Sequence, residues 1–210
     1  MDSHTLERAA PDVRTGVLAL QGDFLEHEIS LRRLGAEPIE VRLPRDLDGV
    51  DALIIPGGES TTMVHLLDLH GLREPVQRRA REGMPVWGTC AGMILLASAL
   101  VEERPEPLGL MDITVQRNAY GRQLQSFETE LAVTYLGEEP IPAVFIRAPA
   151  IVSMGEGVET LASLPDGMPV AVRQSNVLAT SFHPELTTDT RFHRHFLDMA
   201  ALALGSAGSR

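Results

Sequence analysis

A single cysteine among 210 residues rules out an intrachain disulfide and falls short of a zinc cluster. That usage fits a reducing compartment, where a lone thiol is either a small buried hydrophobe or a nucleophile. No stretch approaches the roughly 18 apolar residues that suggest a membrane span. The polar N-terminus, MDSHTLERAAPDVRT, lacks the apolar core of a signal peptide, so a cytoplasmic protein without membrane contact is expected. Positive charge is also in deficit. The 18 Lys and Arg residues stand against 29 Asp and Glu, a net charge of −11, and no basic cluster with interleaved aromatics offers a groove for nucleic acid. Repeats, low-complexity tracts and interdomain linkers are missing too. With 44% hydrophobic residues, the chain has the material for one core. We expect a flexible extension over 1–13, a single domain over 14–204 and a flexible tail over 205–210.

Short apolar runs at Gly16–Leu20, Pro38–Val41, Ala52–Ile55 and Pro85–Trp87 read as strands. They alternate with helical patterns at Phe24–Leu34, Thr62–Leu69, Glu74–Glu82 and Ala91–Leu100, an order that predicts a parallel sheet covered by helices. The second half is richer in strand-like pieces: Asp112–Gln116, Glu130–Thr134, Ala143–Ile146, Val170–Arg173 and Val177–Ser181, before a last helix over Asp189–Leu204. The sheet should therefore be mixed, with some antiparallel strands in this half.

Cys90 stands where an apolar strand turns into an apolar helix, in the pattern Gly88-Thr89-Cys90-Ala91-Gly92. A nucleophile on so sharp a turn crowds the residues two before and two after it, and glycine at both relieves the clash. A helix N-terminus there favours thiolate and leaves backbone N–H groups, Ala91 foremost, to meet a developing oxyanion. A buried core cysteine beside packing glycines is the competing reading. The segment Thr180-Ser181-Phe182-His183-Pro184-Glu185 decides against it. If it is extended, His183 and Glu185 lie on one side, so the carboxylate can set the imidazole tautomer and leave the other ring nitrogen for Cys90. The separation of 93 positions between Cys90 and His183 is no obstacle, because such groups meet in space.

The remaining histidines earn no role from the sequence. His193 and His195 look like a metal pair, yet two residues apart on a helix they point to different sides, and we read them as exposed helix positions. His4, His27, His65 and His70 lack partners that would raise them above the same reading. No metal and no cofactor is expected.

Pro56-Gly57-Gly58-Glu59-Ser60-Thr61-Thr62 reads as a turn into a helix capped by Ser60 or Thr61. It lacks the Gly-Lys-Ser/Thr ending of a phosphate loop, and Glu59 would repel phosphate. On the carboxyl edge of a parallel sheet the turn would lie beside Cys90, with the Gly58 N–H as a second oxyanion donor. Arg117 and Arg147 occupy mixed or apolar surroundings. There an arginine binds either a substrate carboxylate or one of the many acidic side chains, and spacing does not choose between them.

Gly-Thr-Cys-Ala-Gly with a distal His-Pro-Glu resembles the class I, triad-type glutamine amidotransferases. Within that family, several segments resemble the glutaminase subunits of pyridoxal 5′-phosphate synthases: Leu20-Gln21-Gly22, Pro56–Thr62, Gln116-Arg117-Asn118-Ala119-Tyr120-Gly121-Arg122-Gln123, Phe145-Ile146-Arg147-Ala148-Pro149 and Ser181–Glu185. The resemblance runs in order from about Gly16 to Leu204; Asp23-Phe24, after Gln21-Gly22, departs from the pattern. It implies a flavodoxin-like three-layer α/β fold with a mixed, mostly parallel sheet and helices on both faces. It implies the triad Cys90, His183 and Glu185, an oxyanion hole of Ala91 and Gly58, and bound L-glutamine among Gly58, Glu59, Ser60, Arg117, Ile146 and Arg147. It further implies that ammonia passes to a (β/α)8-barrel synthase subunit as partner. A cysteine peptidase or glyoxalase-like hydrolase, an inactive regulatory subunit, and an amidotransferase serving a different synthase are the rival readings.

Overall fold

The computed structural model describes residues 12–117 and 126–207. Four strands are buried at every position: β1 (Thr15–Leu18), β3 (Ala52–Ile55), β4 (Val86–Thr89) and β12 (Val177–Thr180). Such runs belong in the middle of a sheet covered on both faces. They form the centre of a seven-stranded sheet ordered β10-β11-β12-β4-β3-β1-β2, in which β2 is Ile39–Val41, β10 is Glu159–Ser163 and β11 is Pro169–Gln174. The four pairings from β12 to β2 are parallel, and the two that add β11 and β10 are antiparallel. The expected mixed, mostly parallel sheet is what the chain builds.

Alternation along the strands divides the core. Leu53 and Ile55 face one cluster with Met63 and Leu67 of α2 (Ser60–Leu69), Val76 of α3 (Arg73–Arg81) and Leu95 of α4 (Ala91–Leu96). Ala52 and Ile54 face the other, with Leu31 of α1 (Phe24–Arg33) and Phe192, Phe196 and Leu197 of α5 (Arg191–Ala207). Helices thus cover both faces, giving three layers. Val13, just before the expected domain start, is buried in the second cluster, and α5 continues past Leu204.

Two smaller sheets flank the large one. The first joins β5 (Ala97–Leu100), β6 (Met111–Gln116) and β9 (Ala150–Met154); the second pairs β7 (Ser126–Leu131) with β8 (Ile141–Ile146). The expected helix over Ala91–Leu100 is corrected here: it ends at Leu96, and Ala97–Leu100 becomes a strand parallel to β6. Ala97 leaves helical dihedrals at ψ 154°, and the neighbouring Leu96 and Ala97 carbonyls accept from Leu110 and Gly109 N–H.

Candidate active site

Neighbouring parallel strands bring their C-terminal loops to one edge of the sheet, where open α/β sheets bind ligands. Thr89 and Thr180 are paired in register, so Cys90 and the Ser181–His183 segment leave the sheet side by side. Gly57 and Gly58 follow β3, and Gln21 to Asp23 follow β1.

Cys90 itself has φ 48° and ψ −102°, a conformation that non-glycine residues rarely adopt. Its N–H donates to the Thr180 carbonyl at 2.8 Å, which ties the turn to β12. The glycine pair is needed for close approach. A Cβ on Gly92 would lie well under 3.0 Å from the Ile55 carbonyl oxygen, and one on Gly88 would lie 2.5 Å from the Gly92 carbonyl. Sγ lies 3.8 Å from the Ile146 carbonyl oxygen, and the side chain is buried.

His183 and Glu185 are also buried. His183 Nδ1 meets Glu185 Oε1 at 2.8 Å, and His183 and Cys90 line the same cleft. The segment is not extended as the sequence suggested. Pro184–Leu186 is a short 3-10 turn, with Pro184 at its first position, and the turn rather than strand alternation carries Glu185 back to the imidazole. The His183 N–H donates to Val144 of β8 at 2.8 Å, which docks the β7–β8 ribbon against the site and delivers Ile146 and Arg147 to it.

Burial pushes the His183 imidazole down, but the neighbouring Cys90 and Glu185 outweigh it and its pKa is pushed up to about 10. Burial raises the Glu185 carboxyl despite the opposing pull of His183. A histidine whose folded pKa lies above its ordinary 6.5 stabilises the fold fully below that value and loses the contribution as pH rises through about 10. The melting temperature should therefore fall by several degrees between pH 7 and pH 10. In Cys90→Ala, which removes the neighbouring thiol that favours the charged ring, the fall should be smaller. An equal fall in both proteins, followed by circular dichroism, would place the titration elsewhere.

Around Cys90 opens a cleft of about 370 Å³. Every residue the sequence reading put around the substrate lines it: Gly58, Glu59, Ser60, Arg117, Ile146 and Arg147, with Ala91 and His183. Glu185 sits behind His183, and Asn118 to Gln123 lie outside the described residues. Glu59, not Ser60 or Thr61, caps α2, because its carboxylate accepts the Thr61 and Thr62 N–H groups at 3.1 and 2.6 Å. Burial would raise its pKa, yet these donors hold it down to about 2. Arg117 reaches Glu59 and the Thr61 hydroxyl, both at 3.4 Å.

Gln21, Asp23 and Ile94 also line the cleft, and the sequence reading gave none of them a role in the site. Gln21 Oε1 accepts the Glu59 N–H at 2.9 Å and buttresses the Gly57-Gly58 turn; Asp23 Oδ2 stands 3.5 Å from His183 Nδ1. One ligand atom each from Asp23, His183 and Glu185 falls within 4.8 Å of the others, but His183 Nδ1 and Glu185 are already committed to each other.

The reading of the other histidines needs correction at three positions, His27, His193 and His195. His27 and His193 are fully buried, because the faces of α1 and α5 that carry them pack on the sheet around Trp87. His65 and His70 are exposed, His195 is half-buried, and His4 lies outside the described residues.

Residues 17–202 match the model of the SNO glutamine amidotransferase family. The chain is 63% identical over 187 residues to the pyridoxal 5′-phosphate synthase subunit PdxT of Herpetosiphon aurantiacus, covering 88% of this chain and 98% of that protein. It is 58% identical to the subunit of that name from Roseiflexus castenholzii, again over 88% and 98%. A crystal structure of a glutamine amidotransferase, 53% identical, superposes with a TM-score of 0.84 over 89% of this chain and 98% of that one. Among the described residues, no helix is long and apolar enough to cross a membrane.

Proposed function

The chain belongs to the SNO glutamine amidotransferase family, and on that premise we propose that Cys90, His183 and Glu185 are the triad with which it hydrolyses L-glutamine. It is the glutaminase subunit of a pyridoxal 5′-phosphate synthase, the assembly named for its 63%-identical relative. The observation that carries the triad is the meeting, at one cleft, of a thiol on a strained turn with an imidazole already held by a buried carboxylate.

The Cys90 thiolate attacks the side-chain amide carbon of glutamine, and the negative charge that develops on oxygen is met by the N–H of Ala91, with that of Gly58 as second donor. His183 gives its proton to the departing nitrogen, so ammonia leaves and a glutamyl thioester remains on Cys90. His183, oriented by Glu185, then takes a proton from water as the water attacks the thioester, and glutamate is released with the thiolate restored. The substrate's α-carboxylate and α-ammonium call for charges of both signs. Arg117 and Arg147 supply one and Glu59, held anionic by its capping bonds, the other. Gly58, Ser60 and Ile146 complete the wall.

The partner is a (β/α)8-barrel synthase subunit that takes up the ammonia in the cytoplasm and completes the oxyanion hole on docking. Glutamate release should rise severalfold when that subunit is added to this chain. Demonstrated complex formation without stimulation would assign the ammonia to another acceptor.

A further inference from the structure

Behind the triad lies a second layer of ionisable groups that the chemistry above does not use. His27 Nδ1 and His193 Nε2 are 3.0 Å apart, and both rings are fully buried. On its other side, His27 Nε2 lies 3.1 Å from the Thr89 hydroxyl and 3.5 Å from Glu185 Oε2. The Thr89 hydroxyl lies 3.4 Å from Glu185 Oε1, the oxygen that also accepts from His183. Glu185 Oε2 is buried without a hydrogen bond within normal range, and His27 Nε2 stands 3.5 Å from it.

We propose that His27 and His193 are positioning residues for the triad: a neutral pair of imidazoles, each in its Nε2–H tautomer, that holds Glu185 ionised and oriented from the side opposite His183.

Hydrogen-bond accounting fixes the direction of the chain. A carboxylate only accepts, so the single Thr89 hydroxyl proton is directed to Glu185. His27 Nε2 then faces two acceptors, the Thr89 oxygen and Glu185 Oε2, and carries the proton itself. A neutral ring with a proton on Nε2 presents a lone pair at Nδ1, so the proton between the two rings belongs to His193 Nε2. What is left over is the lone pair on His193 Nδ1, which is buried without a partner; an unpaired acceptor is easier to bury than an orphaned N–H. Each donor in the layer therefore points towards Glu185. Burial, reinforced by His193 and His183, keeps His27 well below the ordinary histidine range, and burial lowers His193 to about 3. Trp87 confines both rings edge-on, with centroids 5.5 Å from His27 and 4.9 Å from His193. The groups facing Glu185 are then His183, His27 and Thr89, with Asp23 across the imidazole.

The inference rests on the triad reading, and the test separates the two. In the assembled synthase complex, His27→Leu should lower kcat by about tenfold or more while KM for glutamine stays within about twofold, because the cleft itself is untouched. Losing a donor raises the Glu185 pKa further, so the acid limb of kcat/KM should move to higher pH. His27→Gln, which returns an N–H donor near the Nε2 position, should restore most of kcat and the original limb. Nitrogen-15 spectra of the histidine-labelled wild-type complex should show both rings neutral, with protons on Nε2, at pH 6. Full activity in His27→Leu, a loss with an unmoved limb and no rescue by glutamine, or an imidazolium or Nδ1–H signal at His27 would each overturn the proposal. Activity that survives Cys90→Ala would instead remove the triad on which it stands.

Discussion

Cys90→Ala should reduce glutamate release at least about a thousandfold, in the isolated chain and in the synthase complex, without unfolding the protein. The size of the loss follows from the chemistry: without sulfur no thioester forms, and the cleft and the oxyanion donors alone cannot replace a covalent intermediate. The structure accounts for the retained fold. The φ of 48° at Cys90 is no harder for alanine than for cysteine, and the hydrogen bond from Sγ to the Ile146 carbonyl is long, at 3.8 Å. The Cys90 N–H that ties the turn to Thr180 is a backbone group and remains. Glutamate release and thermal melting measured on one preparation separate the two effects. Hydrolysis above about a tenth of wild type would take the thiol out of the reaction.

What could be read from the chain before its structure was known follows the range of the interactions involved. The elbow is local in part, because Gly88 crowds the Gly92 carbonyl four residues on, and so its pattern is written in nearby letters, although what Gly92 itself meets is Ile55 of β3. His183 and Glu185 are equally local, although the turn that joins them is not the extended segment their spacing suggested. The strand at Ala97–Leu100 was hidden because a short apolar run fits a buried helix and a buried strand equally well. The strand β10 was hidden for the opposite reason, since three of its five residues are exposed and only Leu161 and Ala162 are apolar; β9 does carry an apolar run, Ala150-Ile151-Val152, which the sequence reading passed over.

His27 and His193 fall between these cases. Their contact spans 166 positions and leaves no mark in either segment. Each nevertheless shares a helical stripe with apolar residues: His27 with Leu31 and Leu34, His193 with Phe196, Leu197 and Ala200, all of them buried. Spacings of three, four and seven put both histidines on core-facing sides. A histidine inside an apolar stripe has to find a polar partner in the core, and this one finds the back of the triad.

Gly92→Ala is expected to destabilise the protein by roughly 3–5 kcal/mol, lowering the melting temperature by about 10 °C, and to abolish glutaminase activity. The added methyl meets no flexible side chain that could swing away. It meets the backbone carbonyl of Ile55, the residue of β3 that pairs directly with Gly88 of β4. Relief would require α4 to lift from the sheet, and α4 begins at Ala91, whose N–H is assigned to the oxyanion. Stability and catalysis therefore depend on the same close crossing. Gly49→Ala is the matched control, since its methyl would enter open space at a position without positive φ, and it should melt within about 2 °C of wild type. If Gly92→Ala also melts with the wild type and still hydrolyses glutamine, α4 does not cross β3 at the distance described, and the glycines of the elbow would need another explanation. If only Gly92→Ala fails, the flanking glycines are a steric condition for holding a nucleophile at φ 48°, which a larger residue at that position cannot meet.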